Sequence, residues 1–517
     1  MDFGPSPEPR ESRPEVAAAA SATFDFLVVG SGLAGIYVAL RLADRGRVLL
    51  VTKARLDVSN SAWAQGGIAA ALDAEDAPAL HGEDTLRAGR GLCKQSAVEL
   101  LVQDAPARIA ELMELGVPFD LGPDGRLLLG REGGHLRRRI VHAHGAATGY
   151  AVVEALLPHL VEHPGVTVWE GARAVGLLVD GPCCHGARVQ GPDGLVDVRA
   201  VATVLATGGS GGLYVRTTNP ATATGDGIAL AYAAGATVAD MEFVQFHPTA
   251  FALGQPAFLL SEALRGEGAQ LWNSRGERFM PRYDPAADLA PRDVVARAVM
   301  AEMDATGADH VDLRLDAVPT DALSPFAPLF DSLRARGVDP MAAPIPVAPA
   351  AHFCMGGVVV DLDGATSVRG LFACGEVACT GVHGANRLGS NSLLECLVFG
   401  HRAAHAAAGM EPVRCAAAVP AVLPTLGAPE RAALGERLAR QAGIVRRADG
   451  LADARRGIEA MPPSMEGLVA SLIVRGAEVR RESRGGHFRA DYPVEADTWL
   501  GHLVARRGQP LHLESWS

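Results

Sequence analysis

Residues 24–53 read FDFLVVGSGLAGIYVALRLADRGRVLLVTK, and this stretch decides the fold. Its first six residues have the apolar pattern of a buried strand, and the run that follows at once is Gly30, Ser31, Gly32, Leu33, Ala34 and Gly35. A periodic helix to about Arg45 and a second strand from Arg47 to Val51 complete the unit. This order forms a dinucleotide-binding fingerprint, because the glycines let the backbone approach a pyrophosphate at the helix N-terminus.

One position departs from the usual fingerprint. The second strand ends in Lys53, where an NAD-binding domain has an acid that holds the ribose. The sequence therefore argues against a plain NAD-linked dehydrogenase.

Two later strands also end in glycine-rich loops. Val201 to Ala206 runs into Thr207-Gly208-Gly209, and Leu371 to Cys374 runs into Gly375-Glu376. The second loop carries Arg387 and closes on Ser390-Asn391-Ser392, which predicts the N-cap of a helix and a site for an anionic group. Strand ends of one kind spread over 400 residues predict one nucleotide-binding domain interrupted by an insertion.

Length and composition support a multidomain α/β protein. At 517 residues the chain exceeds one ordinary core, and residues beyond about 415 have helical spacing. The predicted parts are a disordered tail (1–22), the nucleotide-binding domain (23–235 and 353–412), the insertion (236–352) with a Pro-rich return linker (339–349), and a C-terminal helical domain (413–517) that ends in a short polar tail.

Charge and cysteine usage limit the partners. The net charge of −12 argues against nucleic acid, and no apolar run reads as a membrane span. The N-terminus has prolines and acids where a signal peptide has a basic start. The eight cysteines form no CxxC pair, which predicts reduced thiols in a cytoplasmic protein without a metal centre.

Nine motifs carry a family resemblance. In order they are GSGLAG, AQGG, REGGH, ATGG, TGDG, QFHPT, SEALRGEG, PRD and GANRLGSNSLLE. From about Phe24 to Gly400 the chain resembles the flavoprotein subunit family of succinate dehydrogenase and fumarate reductase, and within it the branch that oxidises aspartate. The resemblance implies a Rossmann-like FAD-binding domain, interrupted by an α+β capping domain and followed by a C-terminal helical domain.

The resemblance also implies FAD, bound without a covalent link. Relatives with covalent FAD use a histidine five residues before the glutamine of AQGG, and Asn60 occupies that position here. The implied FAD contacts are the Ser31–Ala34 loop at the pyrophosphate, Lys53 near the ribose and phosphates, Ala174 at the adenine, Asn60, Ser61, Ala62, Trp63, Ala64, Gln65, Gly66 and Gly67 at the flavin ring, Asp226 and Glu376 at polar FAD atoms, and the N–H groups of Ser392 and Leu393 at the pyrimidine edge.

The implied reaction is oxidation of L-aspartate to iminosuccinate. Electrons pass to oxygen, giving hydrogen peroxide, or to fumarate, giving succinate, and iminosuccinate supplies quinolinate synthase in NAD synthesis. Arginines suit such a substrate because guanidinium binds carboxylate in a bidentate way. The implied catalytic residues are Arg292, His247, Glu262, His352, Arg387 and Glu132, with Ser261 and Arg265 binding substrate. Arg292 is either the proton donor and acceptor or chiefly a carboxylate anchor.

Glu132 carries the most specific hypothesis. A carboxylate at this position can bind the α-ammonium of aspartate, which succinate lacks. The alternative interpretations are a soluble fumarate reductase or succinate dehydrogenase flavoprotein, against which Asn60 and the REGGH motif argue, and a non-enzymatic FAD-binding subunit, which would lack the cationic pocket.

Overall fold

Strands and helices alternate through the chain, and three helices dominate its C-terminal part. The computed structural model describes residues 21–254, 257–260, 262–412 and 422–516. The strands are β1 (Ser21–Thr23), β2 (Phe26–Val29), β3 (Val48–Thr52), β4 (Ile68–Ala69), β5 (Leu129–Gly130), β6 (Ile140–Val141), β7 (Val166–Glu170), β8 (Arg173–Asp180), β9 (Cys183–Gly191), β10 (Gly194–Arg199), β11 (Ala202–Leu205), β12 (Val238–Ala239), β13 (Val244–Phe251), β14 (Gln270–Trp272), β15 (Val311–Arg314), β16 (Ile345–Cys354), β17 (Gly357–Val359), β18 (Leu371–Ala373), β19 (Ala378–Cys379), β20 (His502–Ala505) and β21 (His512–Glu514).

The α-helices are α1 (Leu33–Ala43), α2 (Pro78–Ala88), α3 (Gln95–Glu114), α4 (Thr148–Glu162), α5 (Asp226–Ala233), α6 (Ala263–Gly266), α7 (Arg292–Thr306), α8 (Ala327–Arg334), α9 (Asn391–Ala408), α10 (Ala428–Gln441), α11 (Ala448–Glu459) and α12 (Met465–Val479). Short 3-10 turns occupy Gly211–Leu213, Met280–Arg282, Ala287–Leu289, Thr320–Phe326, Gly375–Val377 and Asp497–Trp499. No described helix is long and apolar enough to cross a membrane.

The central sheet confirms the predicted Rossmann-like domain. Its strand order is β18-β11-β2-β3-β7, and every pair is parallel. Val28 pairs with Leu50 on one side and Val204 on the other, and all three side chains are buried. Such strands read as continuous apolar runs because helices cover both faces of a parallel sheet. All three glycine-punctuated strands therefore end at one edge, where a ligand binds.

The cap has a core of its own. Its antiparallel sheet has the order β13-β16-β15-β14, and a separate cluster of buried side chains includes Phe251, Phe279 and Val299. The predicted linker at 339–349 is wrong from Ile345 onward, because β16 begins there. Pro349 is tolerated in β16 because it lies where the pairing with β13 is irregular, between His247 and Ala250.

The C-terminal helical domain is confirmed, but its predicted polar tail is wrong. β20 and β21 follow the helices and extend a sheet through β12, in the order β19-β17-β12-β20-β21. Asp240 fixes this joint, because its carboxylate contacts His502 Nδ1 at 2.5 Å and accepts from the Leu503 N–H at 3.1 Å. The sequence pattern of β20 and β21 was weak, because the two strands are short and their partner lies some 260 residues away.

The predicted disordered tail is wrong at residues 21 and 22. Ser21–Thr23 form β1, which pairs in parallel with β10, so residues 21 and 22 belong to the folded domain. Residues 1–20 and the segment 413–421, where the helical domain was predicted to begin, lie outside the described residues. The domain boundaries stay predictions.

Candidate active site

One cavity runs from the fingerprint loop to the cap, and most of the predicted site residues line it. The lining includes Gly30, Ser31, Gly32, Ala34, Lys53, Asn60, Ser61, Trp63, Ala64, Gln65, Gly66, Gly67, Glu132, Ala174, Asp226, His247, Glu262, Arg292, His352, Glu376, Arg387, Ser392 and Leu393. Leu33, Gly35, Ala62 and Arg265 do not line the cavity. Ser261 lies outside the described residues.

The fingerprint glycines are required by close backbone approach. At Gly30 φ is +113°, and a Cβ atom would lie 2.2 Å from the carbonyl oxygen of Ala206. At Gly35 a Cβ atom would lie 1.9 Å from the Gly30 carbonyl oxygen. Helix α1 therefore starts directly against the end of β2, and its N-terminal turn faces the cavity as an anion site. Leu33 does not line the cavity, but its N–H donates to the Oγ of Ser61, which does, at 3.0 Å.

A cluster of charged side chains lines the cavity near the fingerprint loop. Lys53 Nζ lies 2.9 Å from Asp226 Oδ2, and Arg173 Nε lies 2.9 Å from the same oxygen. Burial alone would raise the pKa of Asp226, but the charges of Lys53 and Arg173 lower it. The acid that pairs with Lys53 thus comes from the start of α5, in a distant part of the sequence. Sequence reasoning missed Arg173, which gave no motif signal at the start of β8.

The next section of the cavity is polar, and some of its buried polar atoms lack a hydrogen-bond partner among the described residues. Asn60 Nδ2 donates to Glu376 Oε2 at 2.9 Å, and Glu376 Oε1 accepts from the Cys354 N–H at 3.0 Å. Burial raises the pKa of Glu376. Asn60 Oδ1, Gln65 Oε1 and Thr207 Oγ1 are buried and have no hydrogen-bond partner in the part of the chain that the structure describes. Buried polar atoms are rarely unpaired in native proteins, so these atoms fit a polar ligand with N–H and hydroxyl groups, as FAD is.

Helix α9 faces the same region with its N-terminus. It begins at Asn391, so Ser392 and Leu393 lie in its first turn, where N–H groups have no intrahelical acceptor. Ser390 precedes the helix with φ of +62° and makes no side-chain cap to it. The predicted N-cap position is confirmed, because Ser390 directly precedes the helix, but its hydroxyl donates to Glu132 and not to the helix.

The cap end of the cavity is organised around Glu262. Its Oε2 accepts from Arg292 Nε at 2.7 Å, and its Oε1 accepts from Arg265 Nη2 at 2.9 Å. Burial alone would raise the pKa of Glu262, but the two arginine charges lower it to about 2. Arg265 is fully buried and also donates to the Asp288 carbonyl oxygen. Its position behind Glu262 indicates a supporting role rather than direct substrate contact.

Gln245 connects Arg292 and Arg387, which both line the cavity. Its Oε1 accepts from Arg292 Nη1 at 3.3 Å, and its Nε2 donates to the Arg387 carbonyl oxygen at 2.9 Å. Arg387 Nη1 donates to Ser392 Oγ at 3.0 Å, and its guanidinium stacks 4.5 Å from the centre of the Phe353 ring. Gln245 was not predicted as a site residue, although its place in the QFHPT motif could have indicated it.

Two histidines flank the arginines as neutral groups. The rings of His247 and His352 lie 5.3 Å apart, and His352 Nδ1 is 2.8 Å from Thr218 Oγ1. Burial, reinforced by the arginine charges, holds the pKa of both well below the usual value. Burial and the charge of Arg292 also lower the pKa of Arg387 to about 9. An incoming carboxylate would supply the negative charge that these groups lack.

Glu132 lies in the same cavity as the arginines. Its Oε2 accepts from Ser390 Oγ at 2.8 Å, and its Oε1 lies 3.8 Å from His142 Nε2. Burial alone would raise the pKa of Glu132, but His142, Arg292 and Ser390 lower it to about 2. The site therefore holds a buried carboxylate that is ionised at neutral pH, next to cations. Ser390 and His142 were not predicted as site residues.

Comparison with known proteins places the chain in a family. Residues 25–393 match the FAD binding domain family, and residues 465–515 match the C-terminal domain of fumarate reductase flavoproteins. The L-aspartate oxidase of Streptomyces coelicolor is 45% identical, over 93% of this chain and 91% of the relative. The L-aspartate oxidase of Agrobacterium fabrum is 47% identical, over 90% of this chain and 91% of the relative.

The chain belongs to the L-aspartate oxidase family. Its fold is shared with a solved variant of the FrdA subunit of E. coli quinol fumarate reductase, with a TM-score of 0.87 at 29% identity, over 96% of this chain and 97% of that one. Mycobacterium smegmatis Sdh1 gives a TM-score of 0.82 at 31% identity, over 96% and 95% of the two chains. The flavoprotein family predicted from the motifs is confirmed, and FAD is the cofactor.

Asn60 gives a direct test of how FAD is held. An amide cannot form the covalent flavin link that a histidine forms, and Asn60 already donates to Glu376. We expect precipitation of the holoprotein with acid to leave all the flavin absorbance in the supernatant. Flavin retained in the washed pellet would contradict non-covalent binding.

Proposed function

We propose that this chain, an FAD-dependent oxidoreductase, oxidises L-aspartate to iminosuccinate. One observation carries the proposal: the cavity that holds Arg292 and Arg387 also holds the ionised Glu132. Two guanidinium groups suit the two carboxylates of a C4 dicarboxylate. Succinate brings no cation to the third, negative group, whereas the α-ammonium of aspartate pairs with it.

The residues supply binding, orientation and proton handling. FAD, when bound, accepts two electrons from the substrate and passes them to oxygen, giving hydrogen peroxide, or to fumarate, giving succinate. Arg292 and Arg387 bind the carboxylates, and the neutral His247 and His352 can donate further hydrogen bonds to them. In aspartate oxidation the carbon loses a hydrogen together with two electrons and the nitrogen loses a proton, so an enzymatic acid is needed chiefly when fumarate is reduced.

Arg292 is our choice for that acid. Its Nε–H is hydrogen-bonded to Glu262, which is bonded in turn to Arg265, so its side chain is fixed on one side. Its Nη groups face Gln245 and the region of Glu132. A guanidinium can move a proton only where its surroundings are strongly organised, because its pKa is high. This arrangement supports the role but leaves Arg292 also able to anchor a carboxylate.

Anaerobic reduction tests the proposed function. Adding L-aspartate to the purified holoprotein without oxygen should bleach the flavin absorbance, and fumarate should then restore it. Succinate is the matched control, since it has both carboxylates and no ammonium. Bleaching by succinate but not by aspartate would instead favour the soluble fumarate reductase or succinate dehydrogenase alternative.

The wider role follows the family. We propose that iminosuccinate passes to quinolinate synthase in NAD synthesis and that oxygen and fumarate both serve as acceptors. The support is the L-aspartate oxidase family alone. The cytoplasmic location stays a prediction from cysteine usage.

A further inference from the structure

Two loops meet at Glu132 and are joined twice. Glu132 itself accepts from Ser390 Oγ at 2.8 Å. Three residues further along the first loop, His135 Nε2 lies 3.0 Å from the carbonyl oxygen of Gly389, the neighbour of Ser390. His135 is 5% exposed. The loop that carries Glu132 is therefore held at two points, Glu132 and His135, to the segment that leads into α9.

The donor in this clamp can be assigned from its other neighbour. Arg139 Nη1 lies 3.5 Å from His135 Nδ1, and a guanidinium can only donate. His135 Nδ1 is therefore an acceptor, and the ring hydrogen is on Nε2, which donates to Gly389. Burial holds the pKa of His135 below its ordinary value, which keeps the ring neutral.

The side chain of Arg139 is buried and is held in place by two acids. It is fully buried, and its Nε and Nη2 both lie 2.9 Å from the carboxylate of Asp76. Its Nη1 donates to Asp84 Oδ2 at 2.7 Å, and that oxygen also accepts from the Leu136 N–H at 2.9 Å. The two acids thus fix the arginine, and through it the ring of His135.

The Gly389 backbone that His135 contacts is close to the reacting groups. A Cβ atom on Gly389 would lie 2.9 Å from Glu132 Oε2 and 3.1 Å from Arg292 Nη2. Gly389 thus lies against both the carboxylate and the guanidinium, and a shift of its backbone changes the space between them. A hydrogen bond to its carbonyl oxygen bears directly on that space.

We propose that His135 is a positioning residue that fixes the Glu132 carboxylate for the α-ammonium of the substrate. Through Gly389 and the Arg139 support, it determines the preference for an α-amino dicarboxylate over a plain one. This rests on the proposed function, in which Glu132 binds the ammonium. The two side chains of the REGGH motif then act together: Glu132 binds the α-ammonium of the substrate, and His135 holds Glu132 in place.

The test compares two substitutions of His135 in the holoprotein. His135→Phe keeps a ring without an N–H group, and His135→Gln restores an N–H donor. We expect His135→Phe to raise the KM for aspartate by roughly 10- to 100-fold, while fumarate reduction and the dissociation constant of succinate change by less than about threefold. His135→Gln should recover most of the loss. Wild-type aspartate oxidation, measured first, tests the proposed function separately.

Three controls make the result decisive. His159→Phe removes a comparable histidine contact to a carbonyl oxygen, that of Leu115 at 3.1 Å, on the surface of α4, and should leave the kinetics unchanged. If His135→Phe does not bind FAD, His135→Asn replaces it, because its amide is too short to reach Gly389. Adding His135→Phe to Glu132→Gln should cost aspartate oxidation nothing more. Equal losses with aspartate and fumarate, or additive losses in the double variant, would overturn the proposal.

Discussion

Replacing Arg292 by lysine should lower turnover by about 10³-fold in both aspartate oxidation and fumarate reduction. Arg292 makes two fixed contacts, through Nε to Glu262 and through Nη1 to Gln245, and presents the rest of its fork to the cavity. A lysine keeps the charge but cannot make both contacts and still reach a substrate. Steady-state kinetics with each substrate, normalised to bound FAD, measure the effect.

A neighbouring arginine on the same helix controls for stability. Arg297 pairs with Asp293 at 3.0 Å and lies outside the cavity lining. Arg297→Lys should leave both reactions within about twofold of wild type, as expected for a partly exposed ion pair. If Arg292→Lys kept full fumarate reduction while losing aspartate oxidation, Arg292 would be a carboxylate anchor for aspartate and not the acid of fumarate reduction.

Replacing Glu132 by glutamine should separate the two substrates. Loss of a buried charge that pairs with the α-ammonium should lower kcat/KM for aspartate by about 10²-fold or more. Fumarate has no ammonium, so its reduction should change by less than about threefold. Its binding can tighten, because Glu132 no longer competes for Arg292, whose charge helps lower the Glu132 pKa.

The measurement is kcat/KM for both substrates on one preparation. Glutamine retains an acceptor oxygen for Ser390 Oγ, so the hydrogen bond seen at 2.8 Å can persist. Glu162→Gln, at the exposed end of α4, removes an acid of the same kind outside the site. Equal losses with aspartate and fumarate would remove Glu132 from substrate recognition and leave it a structural role.

The two substitutions together distinguish the candidate functions. An aspartate-oxidising enzyme loses both reactions with Arg292→Lys and only one with Glu132→Gln. A fumarate reductase would lose its main reaction only in the first variant and have no aspartate activity to lose in the second.

Local pattern predicted the main elements of the fold well. The first helix, predicted from the fingerprint to about Arg45, spans Leu33–Ala43, and the helical spacing predicted beyond about residue 415 is seen in Ala428–Gln441, Ala448–Glu459 and Met465–Val479. Buried parallel strands and amphipathic helices each have a period that neighbouring residues reveal. The prediction was wrong where a short strand depends on a distant partner, as in β1, β20 and the Pro-containing β16.

The sequence by itself determined the nucleotide-binding class, the FAD family and many of the residues that line the cavity, because these reside in contiguous motifs. Only the tertiary structure decided how the motifs act on one another. It placed Asp226 against Lys53, moved Arg265 behind Glu262, and directed the hydroxyl of Ser390 to Glu132 rather than to the helix. It also joined His135 to Gly389 across 254 residues. Such contacts depend on side-chain direction and loop position, which long-range packing fixes and local sequence does not encode.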